Sequence, residues 1–219
     1  MIDVRENCLR TLHRIHEAAA RSGRDPSSIR LIAVTKTIPP ERIRQAVDAG
    51  IRDLGENRLQ EALPKVEALA DLELMWHFIG HLQTNKARKV MDHFHWVQCV
   101  DRSELAQKLN QAASKPLPVL IEVKLHEEAN KSGVAEAQLP NLIESFKDCP
   151  NLRLRGLMAI PPYFDNPESV RPYFRKLHDL AERFGLPELS MGMSHDFEVA
   201  IEEGATMVRI GAALFGERQ

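Results

Sequence analysis

Short apolar runs recur along this chain, each followed by a stretch with helical spacing or helical caps, and this alternation constrains the fold more than any other property of the sequence. The first run is RLIAVTK, Arg30 to Lys36, too short for a helix and too continuously apolar for a strand with one wet face. It reads as a buried parallel strand. Pro39 and Pro40 then open a helix that continues through Val47 and ends at Gly50, because proline suits a first helical turn and glycine a C-terminal cap. Further strands are expected at residues 53–55, 75–79, 96–100, 119–123, 154–159, 189–191 and 207–210. Helices are expected between them at 60–69, 85–91, 103–113, 136–146, 168–184 and 195–202. An amphipathic helix precedes the series over 7–21, where Leu9, Leu12 and Ile15 recur with Ala18 and Ala19, and Ser22-Gly23 stops it.

Eight strands separated by helices imply a parallel α/β sheet with right-handed crossovers, and eight such units close a (β/α)8 TIM barrel. The competing architecture is an open doubly wound sheet, but no G-x-G-x-x-G fingerprint follows an early strand. No repeat, low-complexity tract or linker marks a domain cut, so residues 1–219 read as a single barrel domain with an extra N-terminal helix. Hydrophobic residues make up 43% of the chain and charged residues 27%, enough apolar material for one interior.

The net charge of −2 provides no basic field for a nucleic-acid backbone, so nucleic acid is not an expected partner. No apolar run approaches the roughly 20 residues that span a bilayer, and MIDVRENCLR lacks the apolar core of a signal peptide. A cytoplasmic location without membrane association is expected. Cys8, Cys99 and Cys149 are far apart and have no ligand spacing, which suggests buried or inert thiols rather than disulfides or zinc. His93 and His95 in HFHW lack a third ligand and read as a strand entry, so no metal is assigned.

The C-terminal strand ends of a (β/α)8 barrel and the loops after them build its site. Lys36 ends the first strand, Glu56-Asn57 end the second, His77 lies in the third, and Ser194 and Arg209 to Gly211 fall at the last two. A partly desolvated lysine in that mouth is available as a Schiff-base nucleophile, although alone it reads more readily as a lysine snorkelling from a strand end. MGMSHD places Gly192 and Ser194 at a strand-to-helix turn, a setting for an anion. In VRIGAALFG, Gly211 and Ala212 leave main-chain N–H groups open to a phosphate after the eighth strand. A phosphate site facing a lysine across one mouth suggests an aldehyde-bearing phosphorylated ligand.

The ordered motifs AVTK with Lys36, GEN with Asn57, WHFIG with His77 followed by LQTNK, NKSG from Asn130, LRGLMAI, MGMS with Ser194 and VRIGAALFG with Arg209 span nearly the whole chain. In these the sequence resembles the pyridoxal phosphate homeostasis protein family. The resemblance implies a fold-type III barrel similar to the alanine racemase N-terminal domain, binding pyridoxal 5′-phosphate (PLP) as a Schiff base on Lys36. It further implies that Ser194, Gly211 and Ala212 hold the phosphate, that Arg209 faces the pyridine nitrogen, and that Asn57 and His77 line the pocket. The implied role is intracellular PLP homeostasis, with PLP as the small-molecule partner and PLP-dependent apo-enzymes as candidate recipients. The chain is expected to act as a monomer.

Four positions depart from the family pattern: Arg58 after GEN, His81 after WHFIG, His195 after MGMS, and Ala212, which lacks the hydroxyl often found there. Any phosphate contact at Ala212 must therefore come from its backbone. Conventional PLP catalysis needs proton donors on the relevant faces of the ligand and a ring nitrogen that can be protonated. The only tyrosines are Tyr163 and Tyr173, neither of which the sequence places opposite Lys36, and an arginine at the ring nitrogen does not readily donate its proton. No catalytic residue is assigned and no conventional enzyme activity is expected. The alternatives are a slow PLP-dependent amino-acid racemase and a cofactor-free Schiff-base aldolase acting on sugar phosphates.

Overall fold

The computed structural model describes residues 3–126 and 132–216. Nine strands occur among them: β1 (Arg30–Val34), β2 (Asp53–Glu56), β3 (Met75–Phe78), β4 (Trp96–Val100), β5 (Leu117–Lys124), β6 (Val134–Ala135), β7 (Leu152–Met158), β8 (Glu188–Ser190) and β9 (Met207–Ile210). Every pairing is parallel, in the order β4-β3-β2-β1-β9-β8-β7-β5, and a further β4–β5 pairing closes the ring. The expected eight-stranded barrel is therefore formed, with β6 attached to β5 outside the ring. The continuous apolar runs are explained by burial on both faces: Leu31, Ile32 and Ala33 in β1 and all five residues of β4 are buried.

The helices that cover the barrel are α1 (Val4–Arg21), α2 (Pro40–Asp48), α3 (Leu59–Ala68), α4 (Ala87–His93), α5 (Ser103–Ala112), α6 (Leu139–Ser145), α7 (Arg171–Arg183), α8 (Phe197–Glu202) and α9 (Ala212–Phe215). The extra N-terminal helix begins at Val4 rather than at residue 7, because the Asp3 side chain accepts the Glu6 N–H and caps it. It packs against α8 and α9: Asn7 Nδ2 donates to the Leu214 carbonyl, and Arg14 Nε donates to Glu198.

Three further helices differ from the sequence reading in how they open. The segments expected at 85–91, 136–146 and 168–184 each open with a 3-10 turn, at Thr84–Lys86, Glu136–Gln138 and Pro167–Val170, before the α-helix sets in. Of the three turns only Pro167–Val170 buries a residue, Val170; the other two lie at the solvated start of their helices, where the 3-10 and α forms cannot be told apart from apolar spacing. Cys8, Cys99 and Cys149 are all free and buried, and burial pushes the Cys8 thiol up to about 11. His95 Nδ1 accepts the Trp76 N–H at 3.0 Å, which ties the HFHW segment to the neighbouring strand. No helix among the described residues is long and apolar enough to cross a membrane.

Candidate functional site

The site is organised around the end of β1. Thr35 continues the ladder by donating its N–H to Gly55 O at 3.0 Å, and a turn closes when Ile38 N–H reaches Thr35 O at 3.0 Å. Within that turn Thr37 adopts φ 63°, a left-handed conformation that a β-branched residue rarely takes. The strain is held from beneath. Lys65 Nζ, reaching in from α3, donates to Thr35 O at 2.6 Å and lies 2.7 Å from Glu56 Oε1, which also accepts from Thr35 Oγ1 at 2.7 Å. The backbone that presents Lys36 is thus clamped by a buried ion pair.

Opposite this turn, β8 ends in a loop whose course depends on Gly192, at φ 89°. A Cβ there would stand 2.5 Å from Ala200 Cβ and 3.0 Å from Phe197 Cα, so only glycine lets the loop pass over α8. The sequence reading starts a helix at His195 and sets Ser194 at its N-terminus. The structure corrects both points: α8 begins at Phe197, and the Asp196 carboxylate accepts Met193 N–H at 2.7 Å in the turn before it. Ser194 faces the other way. Its Oγ accepts the N–H groups of Gly211 at 3.3 Å and Ala213 at 3.1 Å, so the Gly211 N–H, expected to be open to a phosphate, is taken by a hydroxyl that joins the loop after β8 to the turn after β9.

Between these two walls lies a cavity of about 620 Å³, lined by Val34, Lys36, Ile38, Tyr163, Met193, Ser194, His195, Arg209, Gly211, Ala212, Phe215 and Gly216. Five of the expected residues, Lys36, Ser194, Arg209, Gly211 and Ala212, are therefore brought together. Arg209 is buried and fixed at two points, with Nη1 donating to Ser190 Oγ at 2.6 Å and Nη2 to Ala159 O at 2.9 Å. Burial lowers its pKa to about 10, against the opposing pull of Glu122 and Asp196, so the guanidinium keeps its charge at neutral pH.

Two expected residues do not line this cavity. Asn57 sits in the turn after β2 against Gly80, where an added Cβ would come within 2.4 Å of the Asn57 carbonyl, and its buried Oδ1 has no hydrogen-bond partner among the described residues. His77 is wholly buried in the barrel, stacked on Trp96 and bonded to Asp53 and Gln98. As the third residue of β3 it alternates with Trp76 and Phe78 and turns into the barrel interior, below the mouth.

Tyr163 is the residue the sequence reading missed. It lies in the loop after β7, lines the cavity with Lys36, and tilts its ring against His195 at 5.2 Å. Its place in a loop at the C-terminal face was the available signal. Of the positions that depart from the family pattern, His195 Nε2 lies 3.1 Å from the carbonyls of Phe164 and Asp165, and His81 lies 3.7 Å from Asp101. Arg58 is exposed beside Glu61. Asn130 and Lys131 of the NKSG motif fall outside the described residues.

A closed parallel barrel, a lysine at the end of its first strand and a small-residue turn after its last define the class of barrels to which the alanine racemase N-terminal domain belongs, and the model of that family matches residues 10–219. Proteins named pyridoxal phosphate homeostasis protein from Pseudomonas aeruginosa and Aquifex aeolicus are 51% and 50% identical to the chain, over 100% and 98% of it and 97% and 98% of their own length. The structure of PipY from Synechococcus elongatus with PLP bound is 38% identical, with a TM-score of 0.81 over 92% of this chain and 100% of that one. An alanine racemase from Clostridium difficile, 15% identical with a TM-score of 0.74 over 97% of this chain and 57% of that one, shares the fold. The chain belongs to the pyridoxal phosphate homeostasis protein family.

Proposed function

We propose that this protein binds pyridoxal 5′-phosphate in the mouth cavity, carries it as a Schiff base on Lys36, and serves intracellular PLP homeostasis without conventional catalysis. The observation that carries the proposal is the meeting of Lys36, Ser194, Arg209, Gly211 and Ala212 around one cavity. The name of the Pseudomonas and Aquifex relatives and the PLP-bound PipY structure support the choice of ligand.

The donor set fits that cofactor. A primary amine, a hydroxyl, a small-residue turn that lets a ligand approach its backbone, and a guanidinium together complement an aldehyde, a phosphate and an aromatic ring nitrogen. When bound, PLP supplies an aldehyde carbon open to an amine and a phosphate that anchors it. Lys36, half-buried above the Lys65–Glu56 clamp, provides the amine. Ser194, already bonded to Gly211 and Ala213, holds the loop after β8 and the turn after β9 in register for the phosphate. Arg209 donates hydrogen bonds and retains its proton at neutral pH, so it orients a ring nitrogen without protonating it. This last feature favours a carrier over an electron-withdrawing catalyst.

Absorbance of the purified protein with and without borohydride, followed by mass mapping, tests the reading. A visible band that reduction removes, leaving a pyridoxyl group on the Lys36 peptide, is expected. A protein that stays colourless and unmodified after incubation with PLP overturns it.

One observation favours a second reading, the slow racemase: Tyr163 shares the cavity with Lys36. That reading requires solvent deuterium to enter Cα of an added amino acid above the rate of a Tyr163→Phe control, and incorporation at the protein-free background rejects it.

A further inference from the structure

Five side chains form a continuous hydrogen-bonded line through the barrel. Asp53 Oδ1 lies 2.7 Å from His77 Nε2, and His77 Nδ1 lies 3.0 Å from Gln98 Nε2. Gln98 Oε1 accepts from Ser190 Oγ at 2.7 Å, and Ser190 Oγ accepts from Arg209 Nη1 at 2.6 Å. His77 and Gln98 stand on the neighbouring strands β3 and β4, whereas Ser190 and Arg209 stand on β8 and β9 across the ring. The line therefore crosses the interior instead of following the wall. Barrel interiors are ordinarily filled by branched apolar side chains, so a polar line here needs a reason beyond packing.

The polarity of the line is dictated from one end. A carboxylate only accepts, so His77 carries its proton on Nε2 and presents a bare Nδ1 to Gln98. That nitrogen accepts a hydrogen bond from the Gln98 amide, whose second N–H faces Met207 Sδ at 3.5 Å. The amide oxygen is then turned toward Ser190. Ser190 spends its single proton on that oxygen, which leaves its lone pairs to receive Arg209. With the second guanidinium nitrogen held by Ala159 O at 2.9 Å, Arg209 is fixed at both ends of its fork. Of the five, Arg209 alone reaches the cavity.

We propose that His77, Gln98 and Ser190 are positioning residues that hold the Arg209 guanidinium in the orientation in which it meets the ring of the bound cofactor. The inference rests on the PLP reading above. An arginine has many rotamers, and freezing them before the ligand arrives removes an ordering cost from binding. A network in which every member is satisfied specifies one arrangement, whereas an interrupted one leaves buried groups competing for partners. His77, expected from the sequence to touch the cofactor, acts on it through three intermediaries.

A double-mutant cycle tests this. Ser190→Ala and Gln98→Met should each weaken PLP binding by about fivefold or more and shift the visible band of the bound cofactor. The Ser190→Ala/Gln98→Met protein should bind no worse than Ser190→Ala alone, because the line is already cut. Additive penalties or unchanged affinities overturn the proposal. Should the variants not fold, the wild-type protein supplies the answer: the imidazole nitrogen resonances of His77 should move on PLP addition, and resonances that stay in place refute the coupling. Wild-type protein that takes up no PLP at all overturns the ligand assignment itself, whereas normal uptake with additive penalties overturns only the positioning role.

Discussion

The ammonium of Lys65 lies 2.7 Å from Glu56 Oε1 and 2.6 Å from the carbonyl of Thr35, so a buried ion pair ties the end of β2 to the residue that precedes Lys36. Neither partner has more than a tenth of its side chain exposed. The remaining Glu56 oxygen, Oε2, has no partner among the described residues, so the carboxylate depends heavily on Lys65.

Lys65→Met should therefore destabilise the protein by about 3–5 kcal/mol, because it strands a carboxylate in the interior. Urea denaturation measures the loss. Adding Glu56→Gln should restore much of it by removing the stranded charge, and a double variant as unstable as the single one would contradict the ion-pair account.

Lys36→Ala should abolish the borohydride-fixed PLP while leaving phosphate-anchored, reversible binding. Ser194→Ala should keep the covalent attachment but weaken affinity by about tenfold, since the loop after β8 and the turn after β9 lose the hydroxyl that joins them. Titration with PLP, before and after reduction, separates the two effects. Equal losses of covalent label in both variants would argue against distinct amine and phosphate sites.

Gly192→Ala should cost roughly 1–3 kcal/mol, because alanine is strained at φ 89° and its methyl group would press on Ala200 and Phe197. PLP binding should weaken in parallel, as Ser194 lies two residues on. Thermal melts with and without PLP check both, and a stable variant with unchanged affinity would show that the loop can take another path.

Acid should destabilise the fold below the ordinary histidine range. Burial holds His77 below its usual 6.5, with Asp53 pulling the other way, and burial likewise lowers His95. As pH falls through 6.5 the unfolded chain takes up protons at these sites that the folded chain does not, so stability rises with pH in this window and is lost on acidification. Urea midpoints between pH 7.5 and about 5.5 should decline for the wild type and fall less steeply for His95→Gln. Equal slopes would remove His95 from the explanation.

Much of the site was legible because its signals are local. Lys36 stands at the end of an apolar run, and Gly211 and Ala212 follow another, so knowing where the strands end was enough to send all three to one mouth. Ser194 was found for a partly mistaken reason: a serine at a strand-to-helix turn suggested an anion site at the start of α8, but its hydroxyl turns to the N–H groups beyond β9. Lys65 gave no sign of its role, since a lysine in an amphipathic helix is ordinarily exposed. Tyr163 lay in a loop whose path no periodicity describes.

The sequence by itself determined the eight βα units, the parallel sense of the sheet and the strand ends that carry the amine and the small-residue turn, because burial on both faces of a strand and the caps of a helix are written in neighbouring residues. Only the tertiary structure decided that His77 serves the interior and not the cavity, that Gln98 meets Ser190 92 positions away, and that Tyr163 joins Lys36. Those contacts exist because β4 pairs with β5 and closes the ring, which brings opposite walls within hydrogen-bonding reach. Closure is a property of all eight strands together, so no local pattern encodes which side chains will face one another across it.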